Sequence, residues 1–161
     1  MKHRERLAIT MGDPAGIGPE IIAKLFVDSA PQDCIVYGDV SCLKRALHRL
    51  DLDIDLQVID NPTDELSVGG IPVLQACDPP AAEVALGQLS ETAGKAAYQC
   101  VDRASSDALD GSIAALVTAP LSKKAIEMAG FDFPGHTEIL AHRCGDVPVA
   151  MMLANDDIRT V

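Results

Sequence analysis

Short apolar runs separated by longer amphipathic stretches set the rhythm of this chain. Residues 6–11 (RLAITM), 34–38 (CIVYG), 113–117 (IAALV) and 148–154 (PVAMMLA) are continuous runs of strand length, as expected for strands covered on both faces. Residues 53–59 (DIDLQVI) alternate instead and predict a half-exposed strand. Between the runs the apolar spacing turns helical. Pro19 and Glu20 open a helix reaching about Asp28, with proline at the first helical position and an acid in the first turn. Asp39-Val40-Ser41 leads into a second helix with Leu43, Ala46, Leu47 and Leu50 on one side and His48 on the polar side. Ser90 caps a long helix that ends at Asp110-Gly111. Its stripe of Ala93, Ala96, Ala97, Cys100, Val101, Ala104 and Ala108 is small, which predicts close packing. Residues 60–87 form a long Pro- and Gly-rich connection with one short strand at 71–75, and no chemistry is assigned to it. Asn155-Asp156-Asp157 predicts a turn before a last strand that stops at Val161. Strands alternating with helices predict an α/β sheet with helices on both faces.

Residues 117–145 (VTAPLSKKAIEMAGFDFPGHTEILAHRCG) carry the most chemistry. Pro120 stops the strand, and Leu121, Ala125, Met128 and Ala129 predict a short helix closed by Gly130. A loop at 131–135 then delivers His136 and Thr137 to another helix, with Thr137 as the expected N-cap. A ligand at the carboxyl end of a parallel strand would meet these residues. Lys123 and Lys124 have two readings, as solvated charges near a helix start or as anion contacts. His136 follows a rigid Pro-Gly turn outside any apolar stripe, and imidazole both donates and accepts near neutral pH. His136, His142 and Cys144 invite a metal reading, but six residues turn a helix by about 600° and part the two histidines. No metal site is expected from them. Upstream, Gly12-Asp13-Pro14-Ala15-Gly16-Ile17-Gly18 links a strand to a helix. It lacks the third glycine of a dinucleotide fingerprint, and Asp13 and Glu20 would repel a pyrophosphate. A close-packed connection is the reading the residues favour.

Composition narrows the class. The 161 residues are 48% hydrophobic and 23% charged, ordinary for a globular domain. A net charge of −11 argues against nucleic acid or an anionic membrane as partner. No apolar run approaches the roughly 18 residues of a membrane helix, and the basic N-terminus lacks the features of a signal peptide. Five scattered cysteines without a Cys-x-x-Cys suggest thiols in a reducing cytoplasm.

GDPAGIGPE, VTAPLSKKAI and FPGHTEILA, in that order and at these distances, give a resemblance covering essentially the whole chain. The chain resembles the 4-hydroxythreonine-4-phosphate dehydrogenase family. The resemblance implies that residues 1–161 are the N-terminal portion of a two-domain α/β dehydrogenase. Its sheet would be like that of isocitrate and isopropylmalate dehydrogenases, and incomplete here. It implies a homodimer whose interdomain cleft is completed by the partner subunit, with NAD or NADP bound without a Rossmann fingerprint. The implied reaction oxidises the secondary alcohol of 4-phosphooxy-threonine to a β-keto acid. That product decarboxylates to 3-amino-2-oxopropyl phosphate on the way to pyridoxal phosphate. A divalent metal (zinc, magnesium or cobalt) held by histidines would polarise the oxygen. His136 and Thr137 match the family's substrate-contacting pair, with Lys123 beside them. Asp13 and Gly16 are the expected cofactor contacts. No catalytic residue or metal ligand is assigned, since the family's first metal-binding histidine would fall a few residues beyond Val161. The chain alone is expected to be inactive.

Three alternatives stay open. One is a sister dehydrogenase acting on phosphorylated threonate or erythronate, or on a cis-diol dicarboxylate. Another is a phosphate acyltransferase-like protein on a related fold, which PGHTE argues against. The last is a non-catalytic, truncated module.

Overall fold

A computed structural model describes residues 6–29, 31–78 and 83–161; His3 lies outside them. The elements run β1 (Leu7–Thr10), α1 (Gly18–Ser29), β2 (Cys34–Gly38), α2 (Val40–Arg49), β3 (Leu56–Ile59), β4 (Ile71–Gln75), α3 (Glu91–Leu109), β5 (Ala115–Thr118), α4 (Lys123–Met128), α5 (His136–Arg143), β6 (Leu153–Ala154) and β7 (Arg159–Thr160). Five strands form one sheet in the order β3-β4-β2-β1-β5, with every pairing parallel. Helices cover both faces, as the alternation of elements predicts.

Alternate residues of the central strands build the two cores. On one face Ile9, Val36, Ile71 and Val73 meet Ile22, Ala23 and Phe26 of α1 and Leu43 and Leu47 of α2. On the other, Ala8, Ile35, Tyr37 and Leu74 meet Ala104 of α3. Fully burying one such aliphatic side chain contributes about 1.5–3 kcal/mol. The small stripe of α3 packs as closely as its composition predicts. A Cβ placed on Gly94 would stand 1.8 Å from the Ala125 carbonyl oxygen, so α4 lies directly on the helix backbone. Side-chain caps fix the helix starts: Asp39 accepts from the Cys42 N–H, Ser90 from Ala93 and Ser122 from Ala125.

Several predicted elements differ. The run at 113–117 reads as a strand buried on both faces, but β5 is an edge strand. Ile113 is buried, whereas Val117 is 53% exposed. The sheet ends there, so half of the run has no covering layer. The apolar run at 148–154 shrinks to the two residues of β6, paired antiparallel with β7 in a separate, exposed ribbon. An apolar run specifies a strand only when a sheet receives it, and this one meets none. Of the alternating stretch at 53–59, only Leu56–Ile59 pairs. Thr137 is not an N-cap. Gly135 holds that position and makes no side-chain cap bond, so Thr137 is the second helical residue.

Candidate functional site

Two loops meet where β1 and β5 end. The parallel register pairs Thr10 with Thr118, and the backbone contacts continue past the strands. The Ala119 N–H donates to the Thr10 carbonyl at 3.1 Å, and the Asp13 N–H donates to the Pro120 carbonyl at 2.9 Å. The glycine loop is therefore docked on the turn that leads into α4.

That loop uses its own polar groups. Asp13 is buried, and its carboxylate accepts the Ala15 N–H at 2.8 Å. Burial raises its pKa above the usual carboxylate range, and the Ala15 hydrogen bond partly opposes the shift. Arg45 of α2 clasps the loop from outside, donating to the carbonyls of Pro14 and Val84 at 2.7 and 2.9 Å. The glycines allow protein to approach protein. Gly12 has φ +73°, and a Cβ there would lie 2.3 Å from the Pro120 oxygen; at Gly18 it would lie 2.1 Å from the Met11 oxygen. Gly16 is unlike either, exposed at the loop tip with no contact to a built Cβ nearer than 3.3 Å. The close approaches at Gly12 and Gly18 pack the loop on protein at those two positions, while Gly16 stays at the exposed tip.

The turn carrying His136 is held from beneath. Val101 of α3, Ile126 of α4 and Ile139 of α5 form a small buried cluster, with Phe131 and Phe133 packed against it. Tyr98 of α3 stacks on Phe131 with centroids 3.8 Å apart and on Phe133 at 5.9 Å. Three of the chain's five aromatics thus clamp residues 131–135. The loop is rigid because of this stack, which sequence spacing alone did not show.

His136 opens α5 from that clamp. Its Nε2 is closed off from solvent and has no hydrogen-bond partner among the described residues. Burial lowers its pKa, which favours the neutral imidazole. Thr137, not engaged as a cap, stands beside it half-buried. Lys123 reaches the same turn, since a Cβ built on Gly135 would lie 3.6 Å from Lys123 Cε. Lys124 pairs with Glu127 at 2.9 Å, while Lys123 has no ion-pair partner among the described residues. The structure thus brings Lys123, His136 and Thr137 together and sets Asp13 behind them through Pro120. Sequence reasoning missed Thr10, whose buried Oγ1 also lacks a partner at this end of the sheet. A lone hydroxyl in an otherwise apolar strand was the available signal.

No group of three His, Cys, Asp or Glu side chains among the described residues is placed to hold a metal ion. His142 is exposed and pairs with Asp146 at 3.1 Å, while His136 turns inward. A cavity of about 410 Å³ lies at the opposite end of the sheet, lined by Arg6, Phe26, Ile54, Leu66 and Pro72 among others, apart from this site. No helix among the described residues is long and apolar enough to cross a membrane.

Comparison with known proteins agrees with the motifs. Residues 30–161 match the family described as pyridoxal phosphate biosynthetic protein PdxA. A 4-hydroxythreonine-4-phosphate dehydrogenase of Beijerinckia indica is 42% identical over 96% of this chain and 46% of its own length. A D-threonate 4-phosphate dehydrogenase of Salmonella typhimurium is 38% identical over 96% of this chain and 49% of its own length. The crystal structure of 4-hydroxythreonine-4-phosphate dehydrogenase from Klebsiella pneumoniae superimposes with a TM-score of 0.89. It is 37% identical and covers 97% of this chain and 49% of that one. The chain spans about half the length of the curated relatives it matches. By its motifs, its parallel sheet and these matches, the chain belongs to the PdxA family of dehydrogenases.

Proposed function

We propose that this chain forms the part of a PdxA-type dehydrogenase that receives a small phosphorylated hydroxy acid at the His136 turn. The observation that carries the reading is an imidazole whose Nε2 lacks a partner, beside Lys123 at the carboxyl end of β5. A neutral imidazole donates to or accepts from a substrate hydroxyl. The Lys123 ammonium supplies the positive charge that a phosphate or carboxylate requires in an acidic protein. The first N–H groups of α5 have no side-chain cap, and such groups favour an anion. The Thr137 hydroxyl adds a further donor and acceptor.

The substrate in this reading is 4-phosphooxy-threonine, oxidised at its secondary alcohol to a β-keto acid that loses CO2 to give 3-amino-2-oxopropyl phosphate. NAD or NADP, when bound, would supply the hydride acceptor. This assignment, like a homodimer and an isocitrate and isopropylmalate dehydrogenase-like architecture, rests on the motif resemblance. D-threonate 4-phosphate is the second reading, favoured by the 38% identical relative named for it. The two acids share the phosphate and the alcohol and differ in an amino against a hydroxyl group beside the carboxylate. The described residues offer no donor set for the divalent metal that the resemblance implies, so no step here runs through it.

Calorimetric titration of the purified protein with both phosphorylated acids, each against its unphosphorylated form, tests the reading. NAD(P)H formation is the second readout. Phosphorylated acids should bind at least about tenfold more tightly, a difference of roughly 1.4 kcal/mol. Equal binding of both forms, or turnover of an unphosphorylated cis-diol dicarboxylate alone, would overturn it.

A further inference from the structure

Helix α5 has little apolar surface of its own to hold it. Ile139 is its one buried residue, and eight residues are too few for a helix to persist unaided in water. Its first turn carries His136 and Thr137, and the loop before it is clamped by Tyr98 of α3. The other end is tied to the same helix by polar contacts. Arg143, the last residue of α5, donates from Nη2 to the Ser106 hydroxyl, and its Nε lies 3.2 Å from the Asp102 carboxylate. That Nε is closed off from solvent and pairs with Asp102 by charge, without hydrogen-bond alignment. Ser106 in turn donates its hydroxyl proton to the Asp102 carbonyl at 3.1 Å, which leaves its lone pairs for the guanidinium. Tyr98, Asp102 and Ser106 stand four residues apart on α3, so one stripe receives both ends of residues 131–143.

We propose that Arg143 is a positioning residue, which sets where His136 stands by holding the far end of α5 on Asp102 and Ser106. Seven residues of helix, about 10 Å, separate the two, so Arg143 acts through α5 and not on a ligand at the turn. Held at its loop end by stacked rings and in the middle by Ile139 alone, so short a rod is free to swing; the guanidinium removes that freedom. A planar fork suits the task because it meets a carboxylate and a hydroxyl at once, whereas an ammonium is a single point of charge.

Arg143 also lies in the last turn of α5, where the helix dipole favours any cation. The two roles separate on substitution, since lysine keeps the charge and loses the fork. The consequence for ligand binding rests on the His136 reading above; the placement of the imidazole does not. That placement has its own reporter. Burial lowers the His136 pKa, so an imidazole that comes loose from its surroundings titrates higher. Lys123 and Glu138 are the charged groups facing the same turn, an atom of each lying 3.6 Å from a Cβ built on Gly135.

NMR titration of the histidine ring protons in the purified protein tests this, with the His136 signal identified by its loss in His136→Gln. In Arg143→Met the His136 midpoint should rise toward the ordinary value of about 6.5. The phosphorylated acid should bind that variant about 3- to 30-fold more weakly in calorimetry. Arg143→Lys should fall between the two. Ser106→Ala removes one of the two contacts and should shift the midpoint the same way by less; it decides the matter should Arg143→Met fail to fold by circular dichroism. An unmoved His136 midpoint overturns the proposal, whatever happens to binding. So does an Arg143→Lys protein identical to the parent, because charge at the helix end would then suffice. If the midpoint moves and binding does not, His136→Gln tells which reading failed. Normal binding there as well overturns the substrate reading alone, and weakened binding overturns the positioning role.

Discussion

The glycine loop and the His136 turn sit at the same end of the sheet, yet they use their polar groups in opposite ways. In the loop, Asp13 is bonded to Ala15, and Gly12 and Gly18 admit the Pro120 and Met11 carbonyls. These contacts are all to the protein itself. In the turn, an aromatic clamp holds the backbone while Nε2 of His136 stays unpartnered. A buried polar atom without a partner costs about 1–3 kcal/mol, which a ligand can recover. The contrast separates a glycine-rich motif that packs from a histidine that is available.

The largest effect should come from filling the loop. In Gly18→Ala the new methyl group would stand 2.1 Å from the Met11 oxygen, so backbone has to move. The expected loss is about 3 kcal/mol or more, or roughly 6–12 °C in Tm by thermal melting. An unchanged Tm would show that the loop is not packed as described. Next comes His136→Ala, which removes a polar contact from a turn held by other residues. Binding of the phosphorylated acid should weaken about 10- to 100-fold in calorimetry, with Tm almost unchanged. If stability falls and binding does not, the histidine is structural and the contrast collapses.

Gly16→Ala should do much less, since a new Cβ would come no closer than 3.3 Å to the Asp13 carbonyl oxygen. Its effect should stay within about 0.5 kcal/mol. A raised KM for NAD(P)+ at constant Tm would instead place the loop tip at the cofactor. The smallest effect is on pH dependence. Burial depresses the folded-state pKa of His136, so its contribution to stability is complete above the ordinary value of about 6.5. That contribution is lost as pH falls from there through the folded value. Melting curves of the parent and His136→Gln at pH 8 down to about pH 5 should therefore diverge only on the acid side. Parallel curves would mean that the imidazole is solvated.

Much of the frame was legible because each element had two agreeing signals. Residues 34–38 combine β-branched residues with a glycine stop, and β2 has those bounds. Ser90 and Asp110 bracket an alanine-rich stripe, and α3 runs between them. At residues 113–117 and 148–154 the apolar character is plain but what covers it is not, so buried strands are expected where the structure has an edge strand and an exposed ribbon. His136 and Lys123 stood out because a Pro-Gly turn and a cationic pair are local signals. The clamp of Tyr98 on Phe131 and Phe133 joins residues far apart in the chain, and only the fold could place it. The same holds for the core that Cys42, Cys77 and Cys100 share. The loss of the Thr137 cap has a simpler cause, since Gly135 already occupies the cap position, two residues before the hydroxyl.

The strand order carries a consequence for how the chain assembles. Strands β1 to β4 and helices α1 and α2 all fall within residues 7–75, whereas β5 pairs Leu7 with Ala115 across the whole of α3. As the polypeptide emerges during synthesis, the outer edge of β1 stays bare until residues 115–118 arrive. An unsatisfied parallel edge in a half-made sheet is a template for other chains. Closing the long loop to β5 is also entropically costly and slow relative to helix formation. Between completing β4 and docking β5, that edge of β1 is open to pairing with other chains, and afterwards the outer edge of β5 takes its place.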